Sequence, residues 1–351
     1  MNETICLEET LEAFSVYLTE KGRKHSTIQR YTYDIKDFFK WLEVNEVLFH
    51  IKSWSELSEK DYQTYFSELE NKRKYSQKTR QRIWVVLKKL NMFLGIGNPL
   101  DDFHLSLIPD QSLSDKDFIT EMEEKLLKQT VLSTKGLTER QAKYRPLIMD
   151  RNVCIINLVV NYGLSLQELV SLNMSHIQFA RNTLVVPGEN GSTRSVSLTM
   201  DDTQQLYKYY TTIPEPVRPR QHTDNPLFVA FDFTRGTYRW GYENDAPKAL
   251  SEVAIQKMIR LEVKRAELGR RISAQQMRNA FILRLIKQGI NEDELVNKMG
   301  FKTKISLKRY YQYLTLSKKL DEKYFGNLYC TITKYLLYNF VFYHCCNFVF
   351  N

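Results

Sequence analysis

Apolar residues return every three or four positions through almost all of the first 97 residues, a period that admits little besides packed helices. Leu7, Leu11, Phe14 and Leu18 mark a first helix, ended at Lys21-Gly22. Ser26 stands where a cap for a second is needed, and Tyr31, Ile35, Phe38, Phe39 and Leu42 repeat the spacing beyond it. A third helix is predicted over 59–71, with Tyr62, Tyr65, Phe66 and Leu69 inward. The fourth starts near Ser76, carries Ile83, Val86, Leu87 and Leu90, and stops at Gly95, Gly97 and Pro99. Four amphipathic helices with short connections predict a small bundle over 1–97.

Residues 98–117 hold no period and are rich in Pro, Ser and Asp, which predicts a linker. A second domain follows over 118–325, mostly helical but with one small antiparallel sheet. Thr183–Pro187 and Arg194–Leu198 flank Gly188-Glu189-Asn190-Gly191, and an Asn-Gly turn between such runs is a strong hairpin signal. Residues 326–351 form an apolar tail, with eight aromatics, three of the five cysteines and one charge, Lys334. It is expected to pack on its own domain or on a partner.

The chain has 351 residues and 43 % hydrophobic side chains, enough for two cores, so a disordered or fibrous protein is excluded. Five cysteines without a C-x-x-C pair argue against a disulfide framework and a zinc site. No metal or cofactor is expected. The acidic N-terminus is unlike a signal peptide, and Asn339, His344 and Asn347 interrupt the longest apolar run. A reducing, cytoplasmic location without membrane contact is the expectation.

Net charge is +9, with 50 Lys+Arg against 41 Asp+Glu. The excess is patterned. Between Lys72 and Lys89 lie eight basic residues and no acid, among them Lys78, Arg80 and Arg82. Lys21, Arg23, Lys24 and Arg30 surround the start of the second helix, and Lys257, Arg260 and Lys264 share one side of a helix over 251–268. Three basic faces without matching acids predict contact with the phosphates of double-stranded DNA. Gln77, Gln81, Gln256 and Arg260 are the side chains suited to reading bases.

The C-terminal half carries a more specific pattern. Arg278-Asn279-Ala280-Phe281, then Met299-Gly300-Phe301, then Tyr310-Tyr311 resembles the tyrosine recombinase (phage integrase) family, whose boxes read H-x-x-R-H, L-G-H and a tyrosine about ten residues on. Upstream, Asn161–Leu169 is similar to the family's T-G-L-R-x-x-E-L box, and the hairpin around Gly188 to its G-K-G-x-x-x-R-x-V-P-L. The resemblance extends over about 5–320, so it implies a helical SAM-like core-binding domain and an α+β catalytic-type domain closing on duplex DNA as a C-shaped clamp. It also implies a chemistry. A tyrosine attacks a DNA phosphate and forms a 3′-phosphotyrosyl bond, two arginines hold the non-bridging oxygens, a lysine protonates the leaving 5′-oxygen, and two further side chains assist.

Position by position, this sequence departs from that set. The first arginine is Ser165, the hairpin lysine is Glu189, the first histidine is Gln275, the second is Asn279, and the L-G-H histidine is Phe301. Arg278 and Tyr311 match, with Tyr310 adjacent, and Arg194 keeps the hairpin arginine and is expected to reach a DNA phosphate. Ser165-x-x-Glu168 reads as a capping box. Each lost donor to the developing oxyanion costs roughly 10²–10³ in rate, and a lost general acid roughly 10²–10⁴. The expectation is therefore a sequence-specific DNA-binding protein that is no longer an enzyme, a transcriptional repressor of the phage-lysogeny type in a bacterial host cell. Arg278 is expected on the DNA backbone, and Tyr311 as a packed or phosphate-bonding hydroxyl. Two alternatives stand beside this: an active, rewired recombinase using Tyr311, with Lys248 as a surrogate acid, or an accessory regulator of an active recombinase. Self-association and small phage-encoded regulators are the other partners this reading allows.

Overall fold

The computed structural model describes residues 7–23, 25–49, 53–97, 99–100, 113–188 and 193–317. The tail at 326–351, Lys24 and Glu189 lie outside the described residues. The chain divides into two compact units, 1–111 and 112–351.

The first unit holds α1 (Leu7–Glu20), α2 (His25–Val44), α3 (Glu59–Asn71) and α4 (Gln77–Phe93). Their inward stripes meet in an aromatic core, where Phe38 lies 4.8 Å from the ring of Tyr65 and 5.3 Å from that of Tyr62. Ser76 caps α4 by accepting from the Thr79 amide, 3.2 Å away. Ser26 is not a cap: α2 already begins at His25, so the serine lies within its first turn.

The second unit is built around α6 (Glu139–Tyr162), whose second half is buried on nearly every side. Against it pack α5 (Glu121–Val131), α8 (Met200–Thr212) and α10 (Ala274–Lys287), with α9 (Glu252–Arg265) on α5. Between α6 and α8 run a short α7 (Leu166–Val170) and a sheet of β1 (Ile177–Gln178), β2 (Thr183–Pro187) and β3 (Thr193–Ser197), antiparallel in that order. The predicted hairpin is present, in the register Leu184↔Val196 and Val186↔Arg194. Two small hairpins, β4 (Phe231–Asp232) with β5 (Thr237–Tyr238) and β6 (Trp240–Gly241) with β7 (Ala246–Pro247), precede α9. They were not foreseen, because two-residue strands leave no alternation to read. α11 (Glu292–Met299) and a helix over 305–317, α12, close the described fold.

The end of the expected linker has structure of its own. Ser114 and Asp117 form a capping box on a short helical turn, and the Lys116 and Asp117 carbonyls accept from Gln276 and Asn279 of α10 at 3.1 and 3.0 Å. Gly163 ends α6 in the left-handed region at φ 66°, and a Cβ there would collide with Phe281 and Met299. Gly300 ends α11 in the same way, at φ 65°.

Candidate nucleic-acid interface

A cleft of about 2640 Å³ opens in the second unit. One wall is α9, held by the Ser251 cap and by Ile255, Ile259 and Val263 on its inner face. That packing turns Lys257, Arg260 and Lys264 outward, all exposed, and Gln256, Arg260 and Lys264 line the cleft. Beneath α9, Glu262 accepts from both Arg145 and Arg265, three side chains at most 3 % exposed. The buried acid of this helix therefore neutralises buried arginines and compensates none of Lys257, Arg260 and Lys264.

The cleft lining also includes Ser165, Glu168, Arg194, Gln275, Arg278 and Phe301. Ser165 caps α7: its hydroxyl accepts from the Glu168 amide at 3.2 Å, and Glu168 Oε2 accepts from the Ser165 amide at 2.7 Å. Glu168 is also a bridge, since its Oε2 accepts from Arg278 at 2.7 Å and its Oε1 from Arg194 at 3.1 Å. Burial works to raise the Glu168 carboxyl, but Arg278, Arg194 and the Ser165 cap overcome it and hold the group below its ordinary value.

Arg278 is 9 % exposed and donates to the Gly163 carbonyl, to Glu168 and, at 2.9 Å, to the Met299 carbonyl. Its guanidinium sits at the carbonyl ends of α6 and α11, where a cation is favoured, and over the Phe301 ring at 5.7 Å. An arginine read as lying along a DNA backbone is, in this structure, anchored on the protein by three oxygens. Gln275 donates to Asn279 Oδ1 at 2.7 Å, and the same oxygen accepts from the wholly buried Tyr310 at 2.8 Å. Tyr311 is half-buried against the core and is not among the residues lining the cleft. Burial and then the neighbouring Glu292 push its hydroxyl above the ordinary value. Lys248 is exposed and also apart from the cleft lining.

The first unit corrects part of the charge reading. Arg23 and Lys78 are exposed as expected. Arg82, however, pairs with the buried Asp34 of α2, and Arg80 with Glu70 of α3 at 2.5 Å. Arg73 pairs with Asp37 at 2.7 Å and Glu68 at 3.1 Å. The acid-free run has acids after all, delivered by α2 and α3.

Two side chains in the cleft lining escaped the sequence reading as a pair. In Arg194-Ser195-Val196 a period of two puts Arg194 on the same sheet face as the buried Val196, and the register confirms it. That alternation was the available signal for an inward arginine, and the Glu168 of the capping box was the available signal for its partner.

Residues 11–95 match the phage integrase N-terminal SAM-like domain, and residues 140–315 the phage integrase family itself, a stretch that contains Ser165, Arg194, Arg278 and Tyr311. The chain belongs to the phage integrase family. The chain is 25 % identical over 284 residues to tyrosine recombinase XerC of Anoxybacillus flavithermus, covering 80 % of this chain and 85 % of that protein. It is 21 % identical over 319 residues to tyrosine recombinase XerD of Oceanobacillus iheyensis, covering 90 % and 97 %. Among solved structures, it is similar in fold to XerH recombinase bound to its difH substrate (TM-score 0.60, 15 % identity, 87 % of this chain and 81 % of that one). The Tn1549 transposon integrase in complex with transposon right-end DNA is comparably similar (TM-score 0.59, 17 % identity, 88 % and 98 %).

These relatives overturn one expectation. The departures at Ser165, Glu189, Gln275, Asn279 and Phe301 predicted a protein that is no longer an enzyme, yet the relatives aligned along most of the chain are named tyrosine recombinases, which are enzymes. Among the described residues no helix is long and apolar enough to cross a membrane, and no group of three His, Cys, Asp or Glu is placed to hold a metal ion.

Proposed function

We propose that this integrase-family chain binds a specific site in double-stranded DNA and carries out strand transfer there with Tyr311 as nucleophile. The observation that supports the reading is the family match over 140–315, a stretch that contains Tyr311 and also Arg278, which lines a basic cleft. Duplex DNA enters along the exposed face of α9, where Lys257, Arg260 and Lys264 contact phosphates and Gln256 and Arg260 face base edges. In the first unit, the exposed Arg23 and Lys78 are separate candidates for phosphate contact. In the reaction the Tyr311 hydroxyl loses its proton to water as its oxygen attacks phosphorus, the P–O5′ bond breaks as the 3′-phosphotyrosyl bond forms, and the leaving 5′-oxygen takes a proton from a cleft lysine such as Lys264. Tyr311 must leave Glu292 to reach the phosphate.

The test is a nicked suicide duplex carrying a site selected from a random pool. A covalent, protease-sensitive adduct that disappears in Tyr311→Phe and survives in Tyr310→Phe supports the reading. Bound duplex without any adduct refutes it. A second reading is transcriptional repression of the phage-lysogeny type through occupancy of the same site. It is favoured by Ser165, whose side chain serves α7 as a cap where the family pattern has an arginine. Regulation of a separate recombinase would show instead as binding that depends on that partner.

A further inference from the structure

The family pattern asks for two guanidiniums around one phosphate, and Ser165 leaves the first of them vacant. We propose that Arg194 supplies that second guanidinium, paired with Arg278 across Glu168, and that its ligand is one phosphodiester group of duplex DNA. The proposal rests on the DNA-binding reading above in one respect only, that duplex enters this cleft.

Four observations carry it. Arg194 and Arg278 each hold one oxygen of the same carboxylate, Oε1 at 3.1 Å and Oε2 at 2.7 Å. The two cations therefore sit side by side at the spacing of a two-oxygen anion, the fork that arginine also presents to phosphate. Second, both line the cleft. Third, the Arg194 side chain is only 9 % exposed, and its Nη2, 3.0 Å from Glu168 Oε1, forms no hydrogen bond. Buried guanidinium nitrogens are normally satisfied, and this one has no exposed surface while Glu168 Oε1 stands against it, so a phosphate oxygen that displaces the carboxylate gains a free donor. Fourth, two guanidiniums and one carboxylate leave a single positive charge, which one phosphodiester neutralises.

The local structure explains why Arg194 can take this part. The β2–β3 register sets it opposite Val186 on the core face, and its Nη1 donates to the Lys298 carbonyl at 2.8 Å. It is aimed by two fixed acceptors, Glu168 and the end of α11. Ser165 fills the vacated position as a cap, which holds Glu168 in turn.

The experiment uses the full chain and the selected duplex, with binding followed across a salt series. Arg194→Gln removes the charge and keeps donors for Glu168, whereas Arg194→Lys keeps the charge. Loss of one phosphate contact lowers the slope of log affinity against log salt by about 0.9. Arg194→Gln is expected to show that loss and Arg194→Lys to keep the wild-type slope, with both variants melting alike. On the suicide duplex, Arg194→Gln should reduce adduct formation by about 10²–10³-fold. A neutral methylphosphonate at the scissile position should restore it, which a purely structural defect would not allow. An unchanged slope in Arg194→Gln overturns the proposal. A wild-type chain that binds duplex, shows the slope difference and forms no adduct overturns strand transfer but upholds the Arg194 contact. A wild-type chain that binds no duplex overturns both.

Discussion

Helices α4 and α9 look alike as sequence and differ as structure. Each presents basic residues at helical spacing on the side away from its apolar stripe. On α4, Arg80 and Arg82 are paired to Glu70 and Asp34 from neighbouring helices, and Asp34 is 2 % exposed. On α9, the one acid among the buried positions, Glu262, faces inward to Arg145 and Arg265, and Lys257, Arg260 and Lys264 stay on the surface. A cationic face is therefore defined by which acids the tertiary fold delivers to it. A run of Lys and Arg along the chain shows only the candidates.

The comparison breaks most visibly at Glu262. Glu262→Gln leaves two buried guanidiniums without a counter-charge, and about 3–5 kcal/mol of stability should be lost in denaturant unfolding. A smaller loss would mean that the carbonyls of Val131, Ser133 and Lys135, which also accept from these arginines, satisfy them unaided. Next comes Arg82→Ala, which strands the buried Asp34 carboxylate and should cost about 1–3 kcal/mol. The same truncation at Lys257 should leave stability within about 0.5 kcal/mol, because nothing buried depends on it. Its effect should appear instead in duplex binding, as a salt slope lower by about 0.9. If Arg82→Ala changed the slope and not the stability, while Lys257→Ala did the reverse, the assignment of the two helices would be inverted.

The same distinction explains what could be read in advance. The helices of the first unit were legible because Leu11, Phe14, Ile35, Phe38 and their successors keep one period for many turns. The hairpin was legible from a turn between two β-branched runs. The Ser165 cap was legible because Ser-x-x-Glu closes within four residues. What failed was every inference that needed a partner from elsewhere in the chain. Arg82 finds its acid 48 residues away, and Arg278 finds its carboxylate 110 residues away. Tyr310 and Tyr311, adjacent in sequence, separate into a wholly buried ring bonded to Asn279 and a half-buried one beside Glu292. Counting departures one at a time also led to the expectation of a chain that is no longer an enzyme, which the relatives overturn. Ser165 was legible as a cap, but nothing along the chain places Arg194 on the same carboxylate as Arg278.

Arg270 provides the finest test, because it belongs to both classes. It lines the cleft with Arg260 and Lys264, yet it is paired to Glu123 of α5 at 2.6 Å and donates to the Phe118 carbonyl at 2.6 Å. The Arg270 hydrogen bond is the main influence on Glu123; it prevails over burial and, with the Thr120 cap, brings the carboxyl down to about 2 from an ordinary 4.5. A depressed carboxyl stabilises the fold above its unfolded value and ceases to do so as pH falls through its folded value. The pair, partly open to solvent, should contribute about 0.2–1 kcal/mol. That contribution should be complete above pH 4.5 and fade toward pH 2. Arg270 stays protonated throughout this window, so its own titration does not blur the result. The measurement is the difference in unfolding free energy between wild type and Glu123→Gln across that range. A difference that shrinks with falling pH places Arg270 with the paired arginines of α4 despite its position in the cleft wall. A difference that is absent at pH 6 and stays absent frees Arg270 for DNA, and the basic face of α9 then extends beyond its C-terminus.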